Sequence, residues 1–307
     1  MSSQTVLKLN TGATIPAVGL GTWDSSDEEA YNSVIAALKT GYRHIDTAAM
    51  YRNEVPVGKA INESGVPRSE IFVTTKLWST QHRNPEAALN ASLERMGLDY
   101  VDLYLMHWPV ALKTDAIKDG NFLTVPETFD GKRSVDLDDW DFVKTWELMQ
   151  KLVQSGKVKA IGVSNFSINN LKDILKPELK FIVPAVNQIE IHPQLPQEEL
   201  IEFCHSKGIV VEAYCPLGSS KSSLLSDPEI SKIAEKYQAE PAQVLINWGI
   251  ARGYCVLPKS SNPKRIESNF KTFTLSPEDT QAISAFHEKY GVHRYVDPNW
   301  GEFKAFV

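Results

Sequence analysis

Short apolar runs alternate with amphipathic stretches along most of the chain. Ser26 followed by Glu29 forms a capping pattern, after which Tyr31, Val34, Ile35 and Leu38 recur at helical spacing until Gly41. The run Tyr42 to Asp46 reads as a strand and Glu54 to Ile61 as a helix. Ile71-Phe-Val-Thr-Thr75, rich in β-branched and aromatic residues, reads as the next strand. Asn84-Pro85 supplies a cap and a first-turn proline ahead of Leu89, Ser92, Leu93 and Met96, and Tyr100 to Met106 follows as an apolar strand. Phe142, Val143, Trp146, Met149 and Val153 predict a long helix closing near Gly156, before a strand at Lys159 to Val163. Further strands are expected at Val183 to Val186, Ile209 to Ala213 and Tyr254 to Leu257.

With Ala17 to Leu20 as the first, eight short strands each precede a helix-competent segment. That order predicts an α/β fold, a (β/α)8 TIM barrel, as a single domain over residues 1–307. An open doubly wound sheet is the rival, but Gly19-Leu-Gly21 lacks the third glycine of its dinucleotide fingerprint. Val110 to Asp139 and Lys289 to Val307 break the alternation and are expected to be long surface loops. The second, carrying Tyr290, Tyr295, Trp300 and Phe303, is a candidate to close over the barrel mouth.

Composition narrows the partners. A net charge of -6 gives no basic footprint for a phosphate backbone, so nucleic acid is not expected. No stretch reaches the length of a membrane span and the first residues lack a secretory pattern, so the expectation is a cytoplasmic protein. Cys204, Cys215 and Cys255 are too few and scattered for a disulfide scaffold or a zinc site, and read as small buried hydrophobes.

In a barrel of this kind the site lies at the C-terminal ends of the strands. Asp46, Lys76, His107, Ser164-Asn165, Asn187-Gln188, Tyr214 and Lys259 end seven consecutive apolar runs, and all are expected to point into one pocket. Each alone has a plain structural explanation, as a cap or a snorkelling side chain. Together they predict a site, because lysine and aspartate near a barrel mouth must pair if they are buried. Glu54, His44, His82 and His192 show no metal-binding spacing, so no metal is expected. Neither G-x-S-x-G nor a P-loop occurs.

Five segments carry a family resemblance that runs nearly end to end: Gly41-Tyr-Arg-His-Ile-Asp-Thr-Ala-Ala-Met-Tyr51, Thr75-Lys-Leu-Trp78, Leu103-Tyr-Leu-Met-His-Trp-Pro109, Gly162-Val-Ser-Asn-Phe166 and Leu257-Pro-Lys-Ser260. The chain resembles the aldo-keto reductases, with a flavour similar to the fungal aldehyde and ketone reductases. The resemblance implies a tetrad of Asp46, Tyr51, Lys76 and His107 that reduces aldehydes and ketones, keto esters included, with NADPH. Tyr51 would be the general acid, its phenolate stabilised by Lys76, with Asp46 keeping Lys76 protonated and His107 orienting the carbonyl oxygen. It further implies that Tyr214 stacks on the nicotinamide and that Ser164, Asn165 and Gln188 bond its carboxamide. Pro216, Leu217 and Ser219 would lie over the pyrophosphate, and Lys259, Ser260, Asn262 and Arg265 would hold the 2′-phosphate. Gly21, Thr22, Asp46 and Asn269 complete the implied cofactor contacts, and Trp23, Trp78, His107 and Trp108 the substrate pocket. Ser268 departs from the glutamate of many relatives. The resemblance implies a small-molecule carbonyl substrate and a monomer. Two other readings remain at this point: a barrel aldolase using Lys76 or Lys259 as a Schiff base, and a non-catalytic NADPH-binding sensor or partner protein.

Overall fold

The structure, a computed structural model, describes residues 5–219 and 222–307. It opens on an antiparallel hairpin of β1 (Val6–Lys8) and β2 (Thr14–Pro16), too short to show a period in the sequence. Its Leu9 and Ile15 pack with Phe72, Leu103, Leu105, Ala160, Ala185, Val186 and Cys255 in one apolar cluster, separate from the main core. β3 (Leu20–Gly21) then leads into α1 (Asp27–Thr40), whose start is fixed by the Ser26/Glu29 capping box and whose end is Gly41 at φ 121°. The alternation continues through β4 (His44–Asp46), α2 (Glu54–Glu63), β5 (Phe72–Leu77), α3 (Pro85–Met96) and β6 (Val101–Met106). The Asn84 side chain caps α3 and Pro85 occupies its first turn.

After β6 a two-residue hairpin forms between β7 (Ala111–Leu112) and β8 (Val135–Asp136). Then come α4 (Phe142–Met149), β9 (Val158–Ser164), α5 (Ile168–Ile174), β10 (Val186–Glu190), α6 (Glu198–Ser206) and β11 (Val210–Tyr214). α7 (Pro228–Lys236), α8 (Pro241–Ala251), β12 (Cys255–Leu257), α9 (Pro263–Phe270), α10 (Pro277–Ser284) and α11 (Phe286–Tyr290) complete the chain. The eight-stranded sheet is parallel in the order β12-β11-β10-β9-β6-β5-β4-β3. Parallel bridges Val18–Val256 and Gly21–Lys259 bring its two edges together, so the sheet closes into the expected (β/α)8 barrel.

Four expectations shift. The sixth barrel strand is β10 rather than Val183 to Val186. Pro184 has no N–H to donate, and pairing starts with Ala185 N–H to Ile161 O at 2.9 Å. Asn187 then falls on the outer face, where its amide donates to Phe166 O at 3.1 Å, so it does not reach the pocket. The long helix from Phe142 stops being α-helical at Met149 and tightens into a 3₁₀ stretch, Gln150–Ser155, before Gly156. The two "surface loops" are partly interior: Val110, Ala111, Leu112, Trp300 and Ala305 are buried.

Main-core packing is closest where α2 crosses α3. A Cβ on Gly58 would lie 2.0 Å from Met96 O, a backbone atom that cannot swing aside. Gly58→Ala is therefore expected to lower unfolding stability by about 3 kcal/mol through forced separation of the two helices. The urea midpoint measures it; an unchanged midpoint would show that the helices part freely.

Candidate active site

Asp46 ends β4 and Lys76 lies one turn of pleat farther along neighbouring β5, since Asp46 pairs in register with Thr74. Tyr51 follows on a short 3₁₀ turn, Ala49–Tyr51, closed by Arg52 at φ 60°. The Lys76 ammonium, fully buried, donates to Asp46 Oδ1 at 2.6 Å, to Thr47 O at 2.9 Å and to Tyr51 Oη at 3.2 Å. Three donors thus meet three acceptors. Burial pulls the ammonium toward neutrality, but Asp46 and Tyr51 outweigh it and hold its pKa above the ordinary lysine value. A Schiff-base lysine needs a neutral amine, so Lys76 is unsuited to that chemistry.

Tyr51 departs from expectation in one respect. Lys76 does pull its pKa down, but burial is the larger effect and raises the phenol above the ordinary tyrosine value. Because Tyr51 Oη accepts from Lys76, its own O–H is free to point into the pocket. His107, just beyond β6, is driven well below the ordinary histidine value by burial, with the charges of Lys76 and Arg133 adding to it. It is a neutral imidazole. Its Nδ1 is buried without a hydrogen-bond partner, which leaves Nε2 as the nitrogen able to meet a ligand.

Beneath the tetrad lies a buried acid that reasoning from strand ends overlooked. Gln188 Nε2 donates both to Asp46 Oδ2 at 2.8 Å and to Glu212 Oε2 at 3.1 Å, and Glu212 Oε1 sits 3.3 Å from His44 Nε2. Burial first, then the Asp46 charge, push Glu212 from 4.5 up to about 8, while burial pulls His44 down to about 4. The one available signal was a carboxylate inside the apolar run Ile209 to Ala213. Since the fold favours the protonated acid, its stabilising contribution is complete below pH 4.5 and is lost as pH rises to about 8. Glu212→Gln keeps the acceptor for Gln188 without that loss. Its Tm advantage over the wild-type protein should therefore grow between pH 5 and pH 8, and a pH-independent difference would contradict this.

At the mouth, Asn165, held at φ 63°, ties three strand ends together. Its amide donates to His107 O at 2.9 Å and its carbonyl accepts from Tyr214 Oη at 2.8 Å. Ser164 Oγ donates to Gln188 O at 2.8 Å. Thr22, after β3, bonds Asp46 O through its N–H and its hydroxyl, and Gly21 N–H donates to Pro258 O. Pro216 is buried, and Leu217 and Ser219 are half-buried, just after β11. Trp23, 59% exposed, stands with its ring 5.0 Å from that of Tyr51, and the His107 ring lies 5.7 Å from Tyr51. Trp78 is 5.6 Å from His107 with its indole N–H on Thr124 O. Trp108 instead packs with Trp300 and Phe306 of the tail. Glu190 holds that tail in place by accepting from Tyr295 N–H and Val296 N–H at 2.7 and 2.9 Å.

Lys259, Lys264 and Arg265 are exposed around the start of α9 and, among the described residues, pair with no carboxylate. Lys259 Nζ donates to Asp24 O at 2.8 Å. The exposed Asn262 caps α9, its side-chain oxygen accepting from Lys264 N–H and Arg265 N–H. Ser260, before α9, and Asn269, in its last turn, are buried. Among the described residues no group of three or more histidines, cysteines and carboxylates gathers to hold a metal.

Residues 17–288 match the model of the "Aldo/keto reductase family". The chain belongs to the aldo/keto reductase family. This aldo/keto reductase is 60% identical to aldehyde reductase YPR1 of Saccharomyces cerevisiae over 305 residues, covering 99% of this chain and 98% of the relative. It is also 60% identical to glycerol 2-dehydrogenase (NADP(+)) of the same yeast, over 99% of this chain and 97% of that one. The solved aldose reductase of Schistosoma japonicum superposes with a TM-score of 0.86 at 39% identity, covering 95% of this chain and 94% of that one. The aldo/keto reductase described here is thus an NADPH-dependent oxidoreductase of carbonyl groups. Its residues fit that cofactor. The unpaired cations at the start of α9 suit a phosphate monoester, and the Tyr214 ring at the barrel mouth suits a flat heterocycle. Among the described residues, no helix is long and apolar enough to cross a membrane.

Proposed function

We propose that this reductase converts aldehydes and ketones, keto esters among them, to alcohols with Tyr51 as the general acid. The observation that carries the reading is the Lys76 ammonium, saturated by Asp46, Thr47 O and Tyr51 Oη. A carbonyl oxygen placed between Tyr51 Oη and His107 Nε2 would accept two hydrogen bonds from neutral donors. As negative charge develops on that oxygen, the Tyr51 proton moves to it, and the phenolate left behind is stabilised by the adjacent ammonium. Asp46 accepts from Lys76 and fixes it; Gln188, bonded to Asp46, fixes the carboxylate in turn. NADPH, when bound, supplies the hydride that no side chain can.

Tyr214, Ser164, Asn165 and Gln188 would hold the nicotinamide end, with Gly21, Thr22 and Asp46 beside it. Pro216, Leu217 and Ser219 would lie along the pyrophosphate, and Lys259, Ser260, Asn262, Arg265 and Asn269 would receive the adenosine phosphate. Lys264 joins that set as an exposed cation in the first turn of α9 with no carboxylate partner among the described residues. Trp23, Trp78 and Trp108 form apolar walls suited to flat or apolar carbonyl compounds. The cytoplasmic location and monomeric state are part of the same proposal, supported by three cysteines that form no disulfide and by the family assignment.

The test is NADPH consumption by the wild-type protein with a simple aldehyde, with the alcohol measured as product. Oxidation of NADPH matched by alcohol supports the reading. Tight NADPH binding without turnover across aldehydes, keto esters and diketones would favour the binding-protein alternative.

A further inference from the structure

The β7/β8 hairpin brings a cation beneath the C-terminal tail. Arg133 lies two residues before β8, and its guanidinium carbon stands 4.1 Å from the centroid of the Trp300 indole. Trp300 itself is only 2% exposed. Nη1 of Arg133 and Nε1 of Trp300 are both buried, and neither meets a hydrogen-bond acceptor. Among the described residues Arg133 forms no ion pair. Glu127, bridged to it through the backbone, is the one carboxylate whose charge is felt, and it makes no contact within salt-bridge distance. Buried polar groups are nearly always satisfied, and here a guanidinium donor stands beside an indole donor with no acceptor on either.

The place of this pair points to what would fill it. Trp300 packs 5.1 Å from Trp108 and 6.4 Å from Trp78, and Trp78 packs 5.6 Å from His107. Arg133 and Trp300 therefore belong to the aromatic wall that runs to the tetrad, and the Arg133 charge is one of those that keep His107 neutral. The tetrad itself offers no free cation: Lys76 is saturated by its three acceptors, and burial holds the His107 pKa well below the ordinary histidine value. An anionic group on the substrate would be drawn to Arg133 rather than to the tetrad.

We propose that Arg133, backed by Trp300, is a carboxylate subsite, and that the preferred substrates are aldehydes and ketones carrying a carboxylate one aromatic ring's length from the carbonyl. The inference rests on the carbonyl-reductase reading of the tetrad and adds a specificity-determining residue to it. The planar guanidinium presents a fork of N–H donors that matches a carboxylate, and the indole face below it fixes the plane of that fork. With the carboxylate so held, the carbonyl end is presented to Tyr51 and His107, so the subsite acts on substrate binding and orientation rather than on proton transfer.

The experiment compares 3- and 4-carboxybenzaldehyde with their neutral methyl esters, using wild-type enzyme, Arg133→Met and Arg133→Lys. The wild-type enzyme should favour at least one acid over its ester by about tenfold in kcat/KM, as expected for a charge-assisted contact. Arg133→Met, which keeps an apolar stem on Trp300, should raise KM for that acid by about tenfold more than for its ester. Arg133→Lys should recover part of the loss, since it restores charge without the fork. Equal effects on acid and ester, or no acid preference in the wild-type enzyme, would overturn the subsite. If Arg133→Met does not fold or turns over no substrate at all, so that the two effects cannot be compared, the wild-type acid-to-ester ratio at rising KCl decides. A ratio that falls with salt supports a charged contact, and one that does not overturns it. Absence of turnover with all four aldehydes would count against the reductase reading and take the subsite with it.

Discussion

Replacing Lys259 and Arg265 together by alanine is expected to raise KM for NADPH by about a hundredfold while leaving KM for NADH within a few-fold. The two cofactors differ only in the 2′-phosphate. The cations around the start of α9 are exposed and pair with no carboxylate among the described residues, so they are available to that group. Removing both takes away charge-assisted hydrogen bonds that only NADPH can make. Lys259 also donates to Asp24 O, so its single variant would loosen the contact between the end of β12 and the loop after β3. The Arg265 single variant, free of that link, isolates the phosphate contribution. Steady-state kinetics with both cofactors is the measurement. An equal rise in both KM values would place the cations outside the phosphate contact.

Much of this architecture was legible from the chain, and the places where it was not have physical causes. Helices with marked ends read correctly, because Ser26, Asn84 and Gly41 each satisfy or terminate backbone groups in a way that depends on local sequence alone. Strand boundaries depend on pairing partners far away in sequence. Pro184 delayed β10, and with it the alternation that sends Asn187 outward and Gln188 inward. Consecutive residues of a strand point to opposite faces, which is why an assignment of both residues to the pocket could not stand.

The proposed tetrad was legible because Asp46, Lys76 and His107 end apolar runs and because the motifs that carry the family resemblance include Tyr51. The residues that support it were not. Glu212 sits in the middle of a strand; pairing with β10 sets it beside Gln188, and only the closed barrel brings it to His44. Arg133 and Trp300 come from the two segments without periodicity, so no pattern could have paired them. The sign of the Tyr51 shift was also beyond the sequence. The opposing effects of burial and of Lys76 were both foreseeable in kind, but their balance depends on how deeply the phenol sits.

The central claim is that Tyr51 delivers the proton and that the other three residues hold it in a state to do so. Tyr51→Phe removes one hydroxyl and leaves the ring in contact with Trp23 and His107. Lys76 keeps Asp46 and Thr47 O as partners, so the variant should fold and bind NADPH as the wild-type protein does. Loss of a general acid that acts mainly as charge develops should then appear in kcat, by about a thousandfold. In the oxidative direction the wild-type rate should rise with pH, because the reaction needs the phenolate and burial holds the Tyr51 pKa above its ordinary value. The most direct measurement is kcat for aldehyde reduction by Tyr51→Phe, taken alongside its NADPH dissociation constant. The account predicts turnover lost with NADPH binding kept; a variant that binds NADPH and retains wild-type kcat would contradict it.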